Sequence, residues 1–99
     1  MLIDLNMNKI EAGKILAEGL SKYRRLTYHQ LTLQIDQTDR KEMIGPSGKW
    51  YQLVFQVFWD DGASGNIRVL GSIDDGGLRA FMPYTDDFIK SPSGEFVDE

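Results

Sequence analysis

Between Lys49 and Asp60 the chain alternates with a period of two. Tyr51, Leu53, Phe55, Val57 and Trp59 point to one side, and Trp50, Gln52, Val54, Gln56 and Phe58 to the other. That period predicts a strand. The segment NIRVLGSID repeats it, with Ile67, Val69, Gly71 and Ile73 opposed to Arg68, Leu70, Ser72 and Asp74. With Asp61–Gly65 as a loop, Asp60 meets Asn66, and Trp59, Val57, Phe55 and Leu53 face Ile67, Val69, Gly71 and Ile73. A one-residue slip would flip every side chain, so this common apolar surface argues for the register. Taking Asp75-Gly76 as a two-residue type I′ turn extends the same surface into a strand over 77–82, with Leu78, Ala80 and Met82 on the apolar side.

A shorter strand over about 40–45 joins the first through GPSG, where Pro46 presets its φ and Gly48 supplies a left-handed residue. Strands over about 40–45, 49–60, 66–74 and 77–82 then make an antiparallel meander. A second Pro-Ser-Gly, Pro92–Gly94, turns Phe88-Ile89 back toward Phe96-Val97 as a C-terminal hairpin or clasp.

Upstream the period changes. Asn8 and Glu11 have capping-box spacing, and Ile10, Ala17, Leu20 and Tyr23, with Leu16 alongside, recur at helical intervals. They predict a helix over roughly 8–23, in which Gly13 is unfavourable unless it lets the helix sit close on the sheet. Residues 26–36 fit two patterns. Thr27 and Gln30 form a second capping-box spacing, while Leu31, Leu33 and Ile35 alternate as in a strand. The reading adopted is a short helix. The expected fold is α+β, a single domain over 1–99, with the helices on one face of a four-stranded antiparallel meander.

Length and composition narrow the chemistry. Ninety-nine residues support one core but little room for a deep cleft besides. There is no cysteine, hence no disulfide and no thiolate metal site. No stretch reads as a signal peptide or a membrane span, which leads us to expect a cytoplasmic protein without a membrane partner. Residues 1–49 carry 8 basic and 6 acidic side chains and residues 50–99 carry 3 and 9, so the C-terminal half is strongly acidic. That disfavours nucleic acid as a partner. Lys22, Arg24 and Arg25, beside Tyr23 and Tyr28, are better explained as charges complementing a helix C-terminus.

GPSGKW resembles the end of a nucleotide-binding loop but fails that motif. Gly45 and Gly48 are too close together, Trp50 stands where Ser or Thr is needed, and a strand follows. His29 is the only histidine, and no serine lies in a nucleophile context. Neither a cofactor nor a metal is expected, and an enzyme is disfavoured. Of the acidic pairs, Asp60 and Asp61 with Asp86 and Asp87 form the only cluster whose geometry allows convergence; its ordinary explanation is turn chemistry.

The second face of the sheet carries more. By these registers it presents Trp50, Val54, Phe58, Leu70 and Phe81, interleaved with Gln52, Gln56, Arg68, Ser72 and Arg79. Phe58 lies opposite Arg68, Leu70 between Gln56 and Phe81, and Arg79 beside Ser72 and diagonal to Asp74. Aromatics with Arg and few Lys or Glu compose a contact patch, unless the short helix or the clasp covers them as core.

The string GSIDDGGLRAFMPYTDDFIKSPSGEF, residues 71–96, resembles a group of small bacterial single-domain proteins sharing an I-D-D-G-G, R-A-F, P and D-D-F-I pattern. The resemblance implies a bacterial single-domain protein and carries over no site residue. The expected function is a non-catalytic, acidic protein-binding module of immunity, antitoxin or regulatory type, binding another protein or a second copy of itself. The alternative is a small hydrolase or ligand-binding domain with the Asp60, Asp61, Asp86, Asp87 cluster at one end of its sheet.

Overall fold

The computed structural model describes residues 8–77 and 83–99. Its elements are α1 (Lys9–Arg24), α2 (Tyr28–Thr32), β1 (Thr38–Ile44), β2 (Trp50–Trp59), β3 (Ile67–Asp74) and β4 (Tyr84–Lys90). The strands form one antiparallel sheet in the order β1-β2-β3-β4. The α+β meander expected from the sequence is therefore the fold.

The β2–β3 register is the one the alternation demands: Leu53 faces Ile73, Phe55 Gly71, Val57 Val69 and Trp59 Ile67. The Asp60 N–H donates to Asn66 O at 2.8 Å, closing the loop at the expected pair. Phe55, Val57, Val69 and Ile73 are buried, and Ala12, Leu16 and Leu20 of α1 and Leu31 of α2 complete the core above them. Both helices thus lie on the same face. Thr27 caps α2 with a full capping box, its hydroxyl accepting from Gln30 N–H while the Gln30 side chain accepts from Thr27 N–H. That reciprocal cap satisfies two backbone donors and decides residues 27–32 for helix.

Several expectations need correction. The fourth strand is 84–90, not 77–82: Ile73 faces Tyr84, Gly71 Asp86, Val69 Phe88 and Ile67 Lys90. A type I′ turn needs positive φ at both central residues. Gly76 has it, at +80°, but Asp75 does not. Instead, the carboxylates of Asp74 and Asp75 accept from the N–H groups of Gly76 and Gly77 at 2.9 and 3.1 Å. Strand β4 begins at Tyr84, and its Phe88 supplies the buried partner for Val69. Residues 78–82, including Leu78, Ala80 and Met82, lie outside the described residues.

The buried stripe of α1 is Ala12, Leu16 and Leu20; Ile10 and Ala17 are exposed. Close approach falls at Gly19, where an added Cβ would lie 2.3 Å from Phe55 Cζ, whereas at Gly13 it would meet nothing nearer than 4.0 Å. Strand β1 starts at Thr38, two residues earlier than expected, and α1 runs one residue further, to Arg24.

The capping box at α1 is only half formed, and its missing half explains GPSG. Asn8 accepts from Glu11 N–H, but the Glu11 side chain does not turn back to Asn8. It crosses to the β1–β2 turn, accepting from Ser47 N–H at 2.9 Å, Ser47 Oγ at 2.7 Å and Tyr51 Oη at 2.8 Å. Gly45 N–H donates to Lys49 O, Gly48 N–H to Gly45 O, and Gly48 has φ +87°, as the bulged turn requires. The loop that looks like an anion cradle grips a carboxylate of its own chain.

These contacts carry a pH dependence. Hydrogen bonds from Ser47 and then Tyr51 lower the Glu11 pKa below 4.5. Burial, then the bond to Glu11, pushes Tyr51 up to about 12. The Glu11 contribution to stability is complete above pH 4.5 and fades as pH falls through the lowered value. That of Tyr51 is complete below pH 10.0 and fades as pH rises toward 12. Thermal melts of wild type and Glu11→Gln across pH should differ at neutrality and converge in acid. A constant gap down to pH 2 would place the carboxylate elsewhere.

Candidate functional site: the open face of the sheet

The second face is built by pairing that the sequence largely anticipates. Phe58 lies opposite Arg68, Gln56 opposite Leu70, and Val54 opposite Ser72. Strand β1 adds Arg40 beside Val54, Glu42 beside Gln52 and Ile44 beside Trp50. On the other side, Ile89 lies beside Arg68, Asp87 beside Leu70 and Thr85 beside Ser72. Leu70 therefore sits between Gln56 and Asp87 rather than between Gln56 and Phe81. Thr85, not Arg79, is the neighbour of Ser72. Arg79 and Phe81 themselves lie outside the described residues.

Neither helix covers this face, because Leu31 anchors α2 in the opposite core. The C-terminal clasp also leaves it open. Its strand-like pairing, Lys90 with Phe96 and Val97 N–H to Ile89 O, runs along the edge of β4, and Phe96 packs against the core. Trp50, Val54, Phe58, Leu70 and Ile89 are each only half buried. Ile89 was missed by sequence reading, since the expected register put it in the clasp.

Arg68 organises the charges. Its Nε donates to Asp60 Oδ1 at 2.7 Å, and its Nη1 pairs with the Asp87 carboxylate. Asp60 first, then Asp87, favours the charged guanidinium. At the other end of the face, the indole of Trp50 lies over the turn, 2.9 Å from where a Cβ on Gly76 would stand. Lys49 Nζ pairs there with Asp75 at 3.4 Å.

The four carboxylates named above divide by role. Asp60 and Asp87 converge, but on Arg68. Asp61 Oδ1 accepts from Asn66 N–H at 2.8 Å, the turn chemistry expected of it. Asp86 pairs with Gly71 on the other face, and its Oδ1 accepts from Asp87 N–H at 2.9 Å. Among the described residues no three His, Cys, Asp or Glu side chains are placed to share a metal ion.

Elsewhere, His29 is exposed on α2. Of the basic cluster, Arg24 and Arg25 make contacts within the fold. Arg24 pairs with Glu99 and stacks over Phe96 at 4.1 Å and Phe88 at 5.2 Å. Arg25 Nε donates to Ser21 O at 3.2 Å, and the Tyr23 ring lies 5.2 Å from that of Phe55. Two adjoining concavities of ≈ 420 and ≈ 500 Å³ run between α1 and β1, sharing Ile15, Glu18 and Met43. Among the described residues no helix is long and apolar enough to cross a membrane. Comparison of the chain with protein-family models, with curated proteins and with solved structures gives no match.

Proposed function

We propose that the chain is a non-catalytic protein-binding module, of the immunity, antitoxin or regulatory kind, that acts in a bacterial cytoplasm through the open face of its sheet. The observation supporting this reading is an apolar and aromatic surface, Trp50, Val54, Phe58, Leu70 and Ile89, that neither helix nor the clasp covers. Contiguous apolar area of this kind marks interaction surfaces. At the Phe58 end Arg68 is neutralised by Asp60 and Asp87, and the exposed Arg40 stands on the β1 side of Val54. Asp61, Asp74 and Asp75 stand at the turns around this face. The complementary partner is a protein with an apolar patch ringed by Lys and Arg, and its binding should weaken as salt rises.

The double variant Phe58→Asp/Leu70→Asp changes two half-buried positions outside the helix-covered core and should leave the circular dichroism spectrum intact. It is expected to weaken capture of the partner from source-cell lysate at least about a hundredfold, because central apolar contacts carry most interface energy. Equal capture by wild type and variant would move the interface off this face. Arg68→Glu is a poor probe, because it would gather three carboxylates at Asp60 and Asp87.

A further inference from the structure

The outer edge of β1 meets no other strand among the described residues. The opposite edge, β4, is partly closed by the clasp, with Ser91 N–H donating to Glu95 O and Val97 N–H to Ile89 O. The direction of the free groups on β1 follows from its pairing. Gly45 N–H donates to Lys49 O, so Gly45, Met43, Lys41 and Asp39 turn their backbone groups toward β2. Those of Thr38, Arg40, Glu42 and Ile44 point outward.

A second copy approaching antiparallel must match outward groups with outward groups, so even-numbered residues face even-numbered ones. The same parity keeps the helix-covered faces of both copies on one side. Among such registers, one centred on Lys41 uses the whole strand, setting Thr38 against Ile44 and Arg40 against Glu42 of the second copy. Shifting the centre by one residue would set Arg40 against Arg40 or Glu42 against Glu42. In the single chain both Arg40 and Glu42 are exposed and neither forms an ion pair among the described residues. The two Lys41 side chains meet at the centre. Each already has its own Asp39 at 3.8 Å and lies diagonal to the Asp39 of the other copy, so four charges balance there.

We propose that the protein self-associates through β1, two copies pairing antiparallel about Lys41 into one continuous sheet, with Arg40 of each facing Glu42 of the other. The apolar concavities between α1 and β1 then open on the same side of the junction, floored by Met43 and Leu53 of both copies. The Arg40 and Glu42 side chains stand at the β1 border of the open face, so the junction adjoins that face, while Phe58, Leu70 and Ile89, further from the β1 edge, stay free in the pair.

Sedimentation velocity of the full chain over a concentration series tests it. The wild type should dimerise reversibly, and Arg40→Glu should weaken the dimer at least about tenfold by turning two attractive pairs repulsive. The swap Arg40→Glu/Glu42→Arg should restore it. Glu42→Lys, which gives the same repulsion with the opposite sign, guards against a folding effect of the first variant. Amide exchange at Arg40 and Glu42 should slow as concentration rises. A wild type monomeric throughout, a dimer indifferent to Arg40→Glu, or a swap that fails to restore association would overturn the proposal.

Discussion

Gly19→Val should lower the melting temperature by roughly 8–16 °C, the equivalent of about 2 kcal/mol in a chain of this size. A Cβ at position 19 would stand 2.3 Å from Phe55 Cζ and 3.1–3.2 Å from its neighbouring ring carbons. The ring is flanked on two sides. Gly71 lies beneath it, where a Cβ would already sit 3.0 Å from Cε1, and the Tyr23 ring lies 5.2 Å away. Replacing glycine inside a helix otherwise gains a few tenths of a kcal/mol in propensity, so the sign of the result reports the clash alone. Phe55→Leu added to Gly19→Val should recover part of the loss, although Phe55→Leu alone destabilises. A Gly19→Val protein melting at or above wild type, by circular dichroism, would mean that α1 stands further from the sheet.

Lys90→Met should cost about 1.5–3 kcal/mol, the range for losing hydrogen bonds from a charged donor. Lys90 is only 7% exposed, which is rare for a lysine. Its Nζ donates to Leu26 O at 2.7 Å and Arg24 O at 3.2 Å, and it lies 4.9 Å from the Phe96 ring. The last carbonyls of a helix carry partial negative charge and lack partners of their own. Methionine keeps the apolar stem and removes the donors, so packing alone would be nearly preserved. The clasp should loosen with the helix end, and limited proteolysis near Ser93 should accelerate. A neutral or stabilising Lys90→Met, in melting and in proteolysis, would show that the ammonium group is not bonded to α1.

Alternation over 50–59 and 67–74 determines both faces and the register of β2 with β3, because period two leaves a single apolar match. The fourth strand was misplaced because two alternating segments follow Asp74. The choice rests on the backbone at Asp75 and on tertiary partners for Phe88 and Lys90, neither of which has a local signature. Glu11 shows the same limit. Its spacing from Asn8 is that of a capping box, yet Ser47 and Tyr51, 36 and 40 residues away, outbid the cap. Gly19 and Gly13 look alike in sequence, and only the position of Phe55 distinguishes them.

The candidate site was legible in part for the same reason. Trp50, Phe58, Arg68 and Leu70 share the second face as the alternation requires. Ile89 and the bridging of Asp60 and Asp87 by Arg68 depend on the strand that was misplaced, so no local pattern could reveal them.

We propose that another protein docks on this open face. A photoreactive phenylalanine analogue at position 58, compared with one at the exposed α1 position Lys14, tests it in source cells. A partner docked there should give a discrete, salt-sensitive adduct with a second protein from position 58 and none from position 14. Adducts from position 14 alone, or equal labelling from both, would contradict it.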